Sequence, residues 1–132
     1  KDTKRDYGEK AFDRWLNPPF MRVMENPDGY GRIKGSCGDT MEIFLKFDNE
    51  SVAEASFMTD GCGPSMICGS LAAELAIGKT PDEIIEISDE AILDKIGGLP
   101  EEDKHCAVLA ANTLLEAIDI YMRRIISGKQ SA

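Results

Sequence analysis

Between Met41 and Asp48 apolar residues fall at every second position: Met41, Ile43, Leu45 and Phe47 on one side, Glu42, Phe44, Lys46 and Asp48 on the other. That period is the one a half-buried β-strand requires. A strand cannot stand alone, so this one constrains its neighbours. Tyr30 to Lys34 reads as a strand before it, and Val52 to Met58, small and β-branched, as a strand after it. Asp48-Asn49-Glu50-Ser51 is polar enough to turn, which predicts an antiparallel meander of three strands. Gly35-Ser36-Cys37-Gly38-Asp39 links the first two strands.

After Gly61-Cys62-Gly63 the pattern becomes helical. A helix is predicted from Pro64 to Ile77, with Pro at its opening and Gly78 at its stop. Thr80-Pro81-Asp82-Glu83 is a capping-box signature leading into Ile84, Ile85 and Ile87, and Ser88 caps a further short helix ending at Gly97-Gly98. The longest helix is expected from about Glu101 to Ile126, its acidic first turn and Arg123-Arg124 last turn matching the helix dipole. Near the start, Tyr7, Ala11, Phe12, Trp15 and Leu16 predict a short amphipathic helix over Asp6 to Leu16, ended by Asn17-Pro18-Pro19. The expectation is one α+β domain over 1–132: a small three-stranded antiparallel sheet packed against several helices, with a long C-terminal helix. Residues 1–5 and 127–132 read as frayed tails, and the chain is taken as complete at Ala132.

Fifteen basic residues against 24 acidic ones leave a formal charge of −9. Nucleic acid and anionic membrane surfaces, bound chiefly through Lys and Arg, are therefore not expected partners; a basic protein surface is. No apolar run approaches a membrane span, and the charged Lys1 to Asp6 segment has no apolar stretch behind it. The four cysteines at 37, 62, 68 and 106 match neither a zinc-finger spacing nor a dense disulfide framework, so a reducing cytoplasm is expected.

Cys37, Cys62 and Cys106 each lie in a glycine-bounded turn or at a helix opening, where unpaired backbone N–H groups favour a thiolate. If the loop between the first two strands is extended, Cys37 and Asp39 project to one side, offering a soft and a hard donor together. His105 and Cys106 are adjacent, and adjacent helical residues diverge, which argues against a Cys-His hydrolase dyad. Cys68, one and a half turns into its helix beside Met66 and Leu71, reads as a packing residue, with a spare ligand as the alternative.

The sequences Gly35-Ser-Cys37-Gly-Asp39, Thr59-Asp-Gly-Cys62-Gly and Lys104-His105-Cys106-Ala-Val-Leu-Ala110 resemble those of the IscU/NifU-type iron-sulfur cluster assembly scaffolds. The similarity runs from Asn17-Pro18 to the C-terminal helix and includes Gly78-Lys79-Thr80. It implies the α+β scaffold fold, with Cys37, Cys62 and Cys106 as cluster and sulfur ligands and Asp39 and His105 beside them. It also implies Cys106 as the acceptor of persulfide sulfur from a cysteine desulfurase, with Asp39 tuning cluster release. Further expected partners are iron and electron donors and apo iron-sulfur proteins. Scaffolds served by an Hsp70-type chaperone carry Leu-Pro-Pro-Val-Lys where this chain has Leu99-Pro100-Glu101-Glu102-Asp103, which counts against that partner.

Three thiolates plus one Asp or His leave one bond to iron weaker and exchangeable, which suits a carrier of a transient [2Fe-2S] cluster. The same donors satisfy tetrahedral zinc. The alternatives are thus a zinc-binding sulfur acceptor similar to the SufU branch, which typically has Arg in place of His105 and an insertion before the third Cys, or a module held by a structural metal. The protein is expected to be a scaffold and not an enzyme.

Overall fold

The computed structural model describes residues 13–14, 16–36, 38–61 and 63–131, the last three by backbone alone. The predicted tail 1–5 and most of the predicted helix Asp6 to Leu16, with Tyr7, Ala11, Phe12 and Trp15, lie outside the described residues; Asp13, Arg14 and Leu16 are helical. Strands β1 (Gly29–Lys34), β2 (Thr40–Asp48) and β3 (Ser51–Thr59) are followed by helices α1 (Gly63–Ala76), α2 (Pro81–Ile85), α3 (Asp89–Ile96) and α4 (His105–Ser131).

The meander is as expected: an antiparallel sheet of order β1-β2-β3, with Ile43 opposite Gly31 on one side and Phe57 on the other. Met41, Ile43, Leu45, Ala55 and Phe57 are buried beneath the helices. The alternation is imperfect at the middle of the second face, where Phe44 and its partner Ser56 are buried between exposed charged residues such as Arg32 and Glu54. Phe44, on the side expected to be polar, is buried and pairs with the Tyr30 ring at 5.3 Å, and Met24 is buried as well. Phe47 stays on the side of β2 that faces α4 and stacks on Tyr121 there, ring on ring at 3.7 Å, while the register shift beside it leaves Ala53 of β3 as the extra residue. The outer edge of β3 does not face water alone: Phe57 donates its N–H to the Phe20 carbonyl and accepts from Arg22 N–H.

Local rules fix the connections. The capping box forms, Thr80 Oγ1 accepting from Glu83 N–H and Glu83 Oε1 accepting from Thr80 N–H. Ser88 Oγ accepts from Ala91 N–H, and α3 ends with Gly97 in the left-handed region at φ 89°. Two boundaries differ from expectation. Pro100 and Glu101 accept i+3 hydrogen bonds from Asp103 and Lys104, so Glu101–Asp103 closes as a tight 3-10 turn and α4 starts only at His105. At the other end α4 continues to Ser131, through the segment read as a frayed tail, since no proline there interrupts the backbone ladder.

Helix α1 packs chiefly on β3 and α4 chiefly on β1. Both contacts are backbone-close. A Cβ on Gly69 would stand 2.4 Å from the Phe57 ring, and one on Gly31 would stand 2.3 Å from the Thr113 carbonyl oxygen and 2.7 Å from Ala117 N. The far half of α4 is fastened by Arg124, whose Nη1 donates to the carbonyls of Pro27 and Asp28 at 3.0 and 3.1 Å. Arg14 donates to Ser70 Oγ at 3.0 Å and pairs with Glu74, which Lys95 also approaches at 3.6 Å. No helix among the described residues is long and apolar enough to cross a membrane.

Gly31→Ala should destabilise the fold by about 1–3 kcal/mol in urea unfolding, the usual cost of overpacking. Gly128→Ala, which meets nothing within 4 Å in the exposed part of α4, should gain about 0.5–1 kcal/mol instead. Equal effects at the two sites would refute the close helix-strand contact. A second expectation concerns acid. Burial alone would raise the Glu74 carboxyl, but Arg14 and Lys95 outweigh it and hold the group below its ordinary value of 4.5. A depressed folded value contributes stability above pH 4.5 that is lost as pH falls through 4.5 toward that lower value. Glu74→Gln should therefore flatten the acid limb of the urea midpoint against pH, and an unchanged limb would count against the Arg14 pairing.

Candidate functional site

Three chain segments meet at one end of the sheet: the β1–β2 loop, the turn after β3 with the first turn of α1, and the first turn of α4. The β1–β2 loop is not extended. Gly38 N–H donates to the Gly35 carbonyl at 3.0 Å and Gly35 N–H to the Asp39 carbonyl at 2.7 Å, closing a tight turn with Gly38 at φ 96°. The same-side argument for Cys37 and Asp39 therefore does not apply, because it needed a strand-like loop. Cys37 itself lies outside the described residues, as does Cys62.

The turn after β3 is pinned to β2 from both sides. Thr40 N–H donates to Asp60 Oδ1 at 2.7 Å, Thr59 Oγ1 donates to the Thr40 carbonyl at 2.8 Å, and Gly61 N–H donates to Thr59 Oγ1 at 3.1 Å. Gly61 must be glycine for reasons of space: a Cβ there would lie 2.6 Å from both Asp39 Oδ2 and Ser65 Oγ. The absent side chain is what lets the carboxylate of one loop reach the helix that follows the other.

At the centre is Ser65, the third residue of α1 and fully buried. Its hydroxyl donates to Asp39 Oδ2 at 3.1 Å and lies 3.6 Å from Cys106 Sγ. Cys106 Sγ is in turn 3.7 Å from His105 Nε2. Asp39, Ser65, Cys106 and His105 thus form a continuous polar chain running from a half-buried carboxylate through a thiol only 2% exposed to an exposed imidazole. The divergence expected of His105 and Cys106 is corrected here. Adjacent Cβ atoms do point apart, but His105 is the first residue of α4, and the far nitrogen of its ring reaches back to the sulfur.

Of the expected site residues, the structure therefore brings Asp39, His105 and Cys106 together. Among the described residues no group of three His, Cys, Asp or Glu side chains closes around a common point, and two of the five expected ligands are not among those residues. Ser65 is the member of this polar chain that sequence reasoning missed. Its signal was available: α1 is apolar on nearly every side, and a hydroxyl in such a helix must find a buried partner.

Cys68 is fully buried, three residues beyond Ser65 on α1. Loss of solvent pushes its thiol strongly upward, and the nearby Cys106 and Asp103 add to that, so the group stays protonated at neutral pH. This supports the packing reading over a spare ligand, since a ligand must shed its proton.

An α+β domain that gathers a thiol, a carboxylate and an imidazole where two helices open onto the end of a small sheet has the donor chemistry of a metal- and sulfur-handling protein. The chain matches the family model described as NifU-like N terminal domain over residues 6–127, and it belongs to that family. It is 37% identical over 119 residues to the iron-sulfur cluster assembly scaffold protein IscU 1 of Archaeoglobus fulgidus, covering 89% of this chain and 78% of that protein. To the scaffold protein IscU of Aquifex aeolicus it is 32% identical over 122 residues, covering 90% and 78%. The fold is shared with the crystal structure of the N-terminal part of a nitrogen-fixing NifU-like protein from Brucella abortus, at a TM-score of 0.69 and 18% identity over 92% of this chain and 97% of that one.

If the Ser65 hydroxyl couples Asp39 to Cys106, a double-mutant cycle of Ser65→Ala and Asp39→Ala should show an interaction of about 0.5–3 kcal/mol in urea unfolding. Strictly additive costs would mean that the contact does nothing.

Proposed function

We propose that this protein is a scaffold on which iron-sulfur clusters are assembled as cargo and from which they pass to apo-proteins. The observation that carries the reading is the chain Asp39, Ser65, Cys106 and His105 at the meeting point of two loops and a helix opening, in a member of the NifU-like N-terminal domain family. The family relation supports Cys37 and Cys62 as the remaining thiolate ligands.

The sequence of events begins with docking of a cysteine desulfurase, whose basic surface would complement the net charge of −9. Cys106 thiolate then attacks the outer sulfur of the enzyme's persulfide, taking it over by thiol-disulfide-type exchange. His105, exposed and 3.7 Å from that sulfur, stands at the entry side, while Ser65 holds Asp39 in reach from the other. Iron and electrons come from other proteins. A [2Fe-2S] cluster held by Cys37, Cys62 and Cys106, with Asp39 or His105 completing the shell, has one non-thiolate ligand, and that weaker bond is where an acceptor's cysteine enters. Zinc, which takes the same donors tetrahedrally, would occupy the site in a protein purified in air.

Anaerobic reconstitution with ferrous iron, cysteine and a desulfurase tests this. The parent should take up sulfur on Cys106 and develop a bleachable visible absorbance with acid-labile sulfide; Cys106→Ser should do neither. A Cys106→Ser protein that accepts sulfur and assembles cluster like the parent would remove Cys106 from the role. Tightly held stoichiometric zinc, with no cluster obtainable after its removal, would favour the zinc-dependent sulfur acceptor.

A further inference from the structure

An aspartate on a turn has two side-chain torsions to settle before its carboxylate can serve as a ligand. In this protein they are settled in advance. Ser65, fully buried in the first turn of α1, donates its hydroxyl to Asp39 Oδ2 at 3.1 Å. The bare backbone of Gly61 closes on the same oxygen, since a Cβ there would stand 2.6 Å from Oδ2 and 2.8 Å from Cγ. One carboxylate oxygen is thus engaged inward, between a hydroxyl and a glycine. The other, Oδ1, takes no hydrogen bond from the described residues. The same hydroxyl lies 3.6 Å from Cys106 Sγ, so a single atom of the core sets the places of a hard oxygen donor and a soft sulfur donor. That atom has little freedom of its own, because the helix carrying it packs on both β3 and α4.

Resting on the reading of Asp39 and the cysteines as donors, we propose that Ser65 is a positioning residue for the divalent cation that enters this site: it holds Asp39 by Oδ2 and leaves Oδ1 as the one oxygen offered, beside Cys106. Ser65 itself supplies no ligand. Its part is to fix which carboxylate lone pairs are available, so that folding, and not the arriving ion, bears the cost of ordering the side chain. Hydrogen-bond partners of this kind, one shell behind the ligands, are worth about 10–100-fold in metal affinity. The arrangement also withholds Oδ2 from the two-oxygen grip that large hard cations take from a carboxylate, which keeps the oxygen bond the weakest beside the thiolates.

Anaerobic titration of the whole reduced protein with cobalt(II), in competition with a chelator of known strength, tests this. Thiolate-to-cobalt charge transfer in the near ultraviolet reports sulfur ligation, and the affinity reports the full donor set. Ser65→Ala should bind about 10–100-fold more weakly than the parent, yet reach the parent's charge-transfer intensity at saturation because its thiolates are untouched. Asp39→Glu keeps the charge but carries the carboxylate one methylene past Ser65, and it should lose affinity comparably. That change sits on a half-buried turn, so it decides the matter even where the buried serine cannot be replaced without loss of the fold. In an Asp39→Ala background, Ser65→Ala should weaken binding no further. Parent-like affinity in Ser65→Ala or Asp39→Glu would overturn the proposal. So would independent losses from Ser65→Ala and Asp39→Ala, or a reduced charge-transfer intensity in saturated Ser65→Ala, which would mark a general loosening of the site. Parent-like affinity in Asp39→Ala removes Asp39 from the donor set and the proposal with it, leaving the cysteines in place. A parent that binds cobalt without thiolate charge transfer overturns the scaffold reading separately.

Discussion

The site depends on how closely α4 lies on β1. With no side chains at Gly29 and Gly31, the helix backbone settles directly onto the strand, and the positions where added Cβ atoms would strike Ala117 and Thr113 fix both its height and its rotation. That placement brings the first turn of α4 to the end of the sheet where the β1–β2 loop closes. A side chain at either position would press on the backbone of the helix whose first turn carries Cys106 to Ser65. The cluster of polar groups is thus set by two small residues on a strand that contributes no ligand of its own.

Much of the fold was legible because it is written locally. The period of two in β2, the polar turn at Asp48 to Ser51, the Thr80 capping box and the left-handed Gly97 each depend on residues a few positions apart, and all four occur as read. What sequence reasoning missed depends on partners far along the chain. Phe44 is buried on the face expected to be polar, beside the Tyr30 ring of β1, and the partner that Phe47 meets on the expected face, Tyr121, lies at the far end of the chain. The late start of α4 follows from carbonyls at Pro100 and Glu101 that prefer nearer donors than a helix would offer.

The candidate site shows the same division. Asp39, His105 and Cys106 were readable from residue type and placement, and from the family resemblance. Their connection was not, because it runs through Ser65, 26 residues from one partner and 41 from the other. The extended loop assumed for Cys37 and Asp39 gave way to a glycine turn, and the expected separation of His105 from Cys106 gave way to ring length. In both cases a rule for regular backbone was applied where the backbone is irregular or ends.

Ser65 owns a single hydrogen and has two claimants for it. While Asp39 is an unliganded carboxylate the hydroxyl points its proton there and turns lone pairs toward the sulfur of Cys106. In the contact with Cys106 either atom can be the donor, so a single rotatable hydroxyl stands between a carboxylate and a sulfur that belong to segments 67 residues apart.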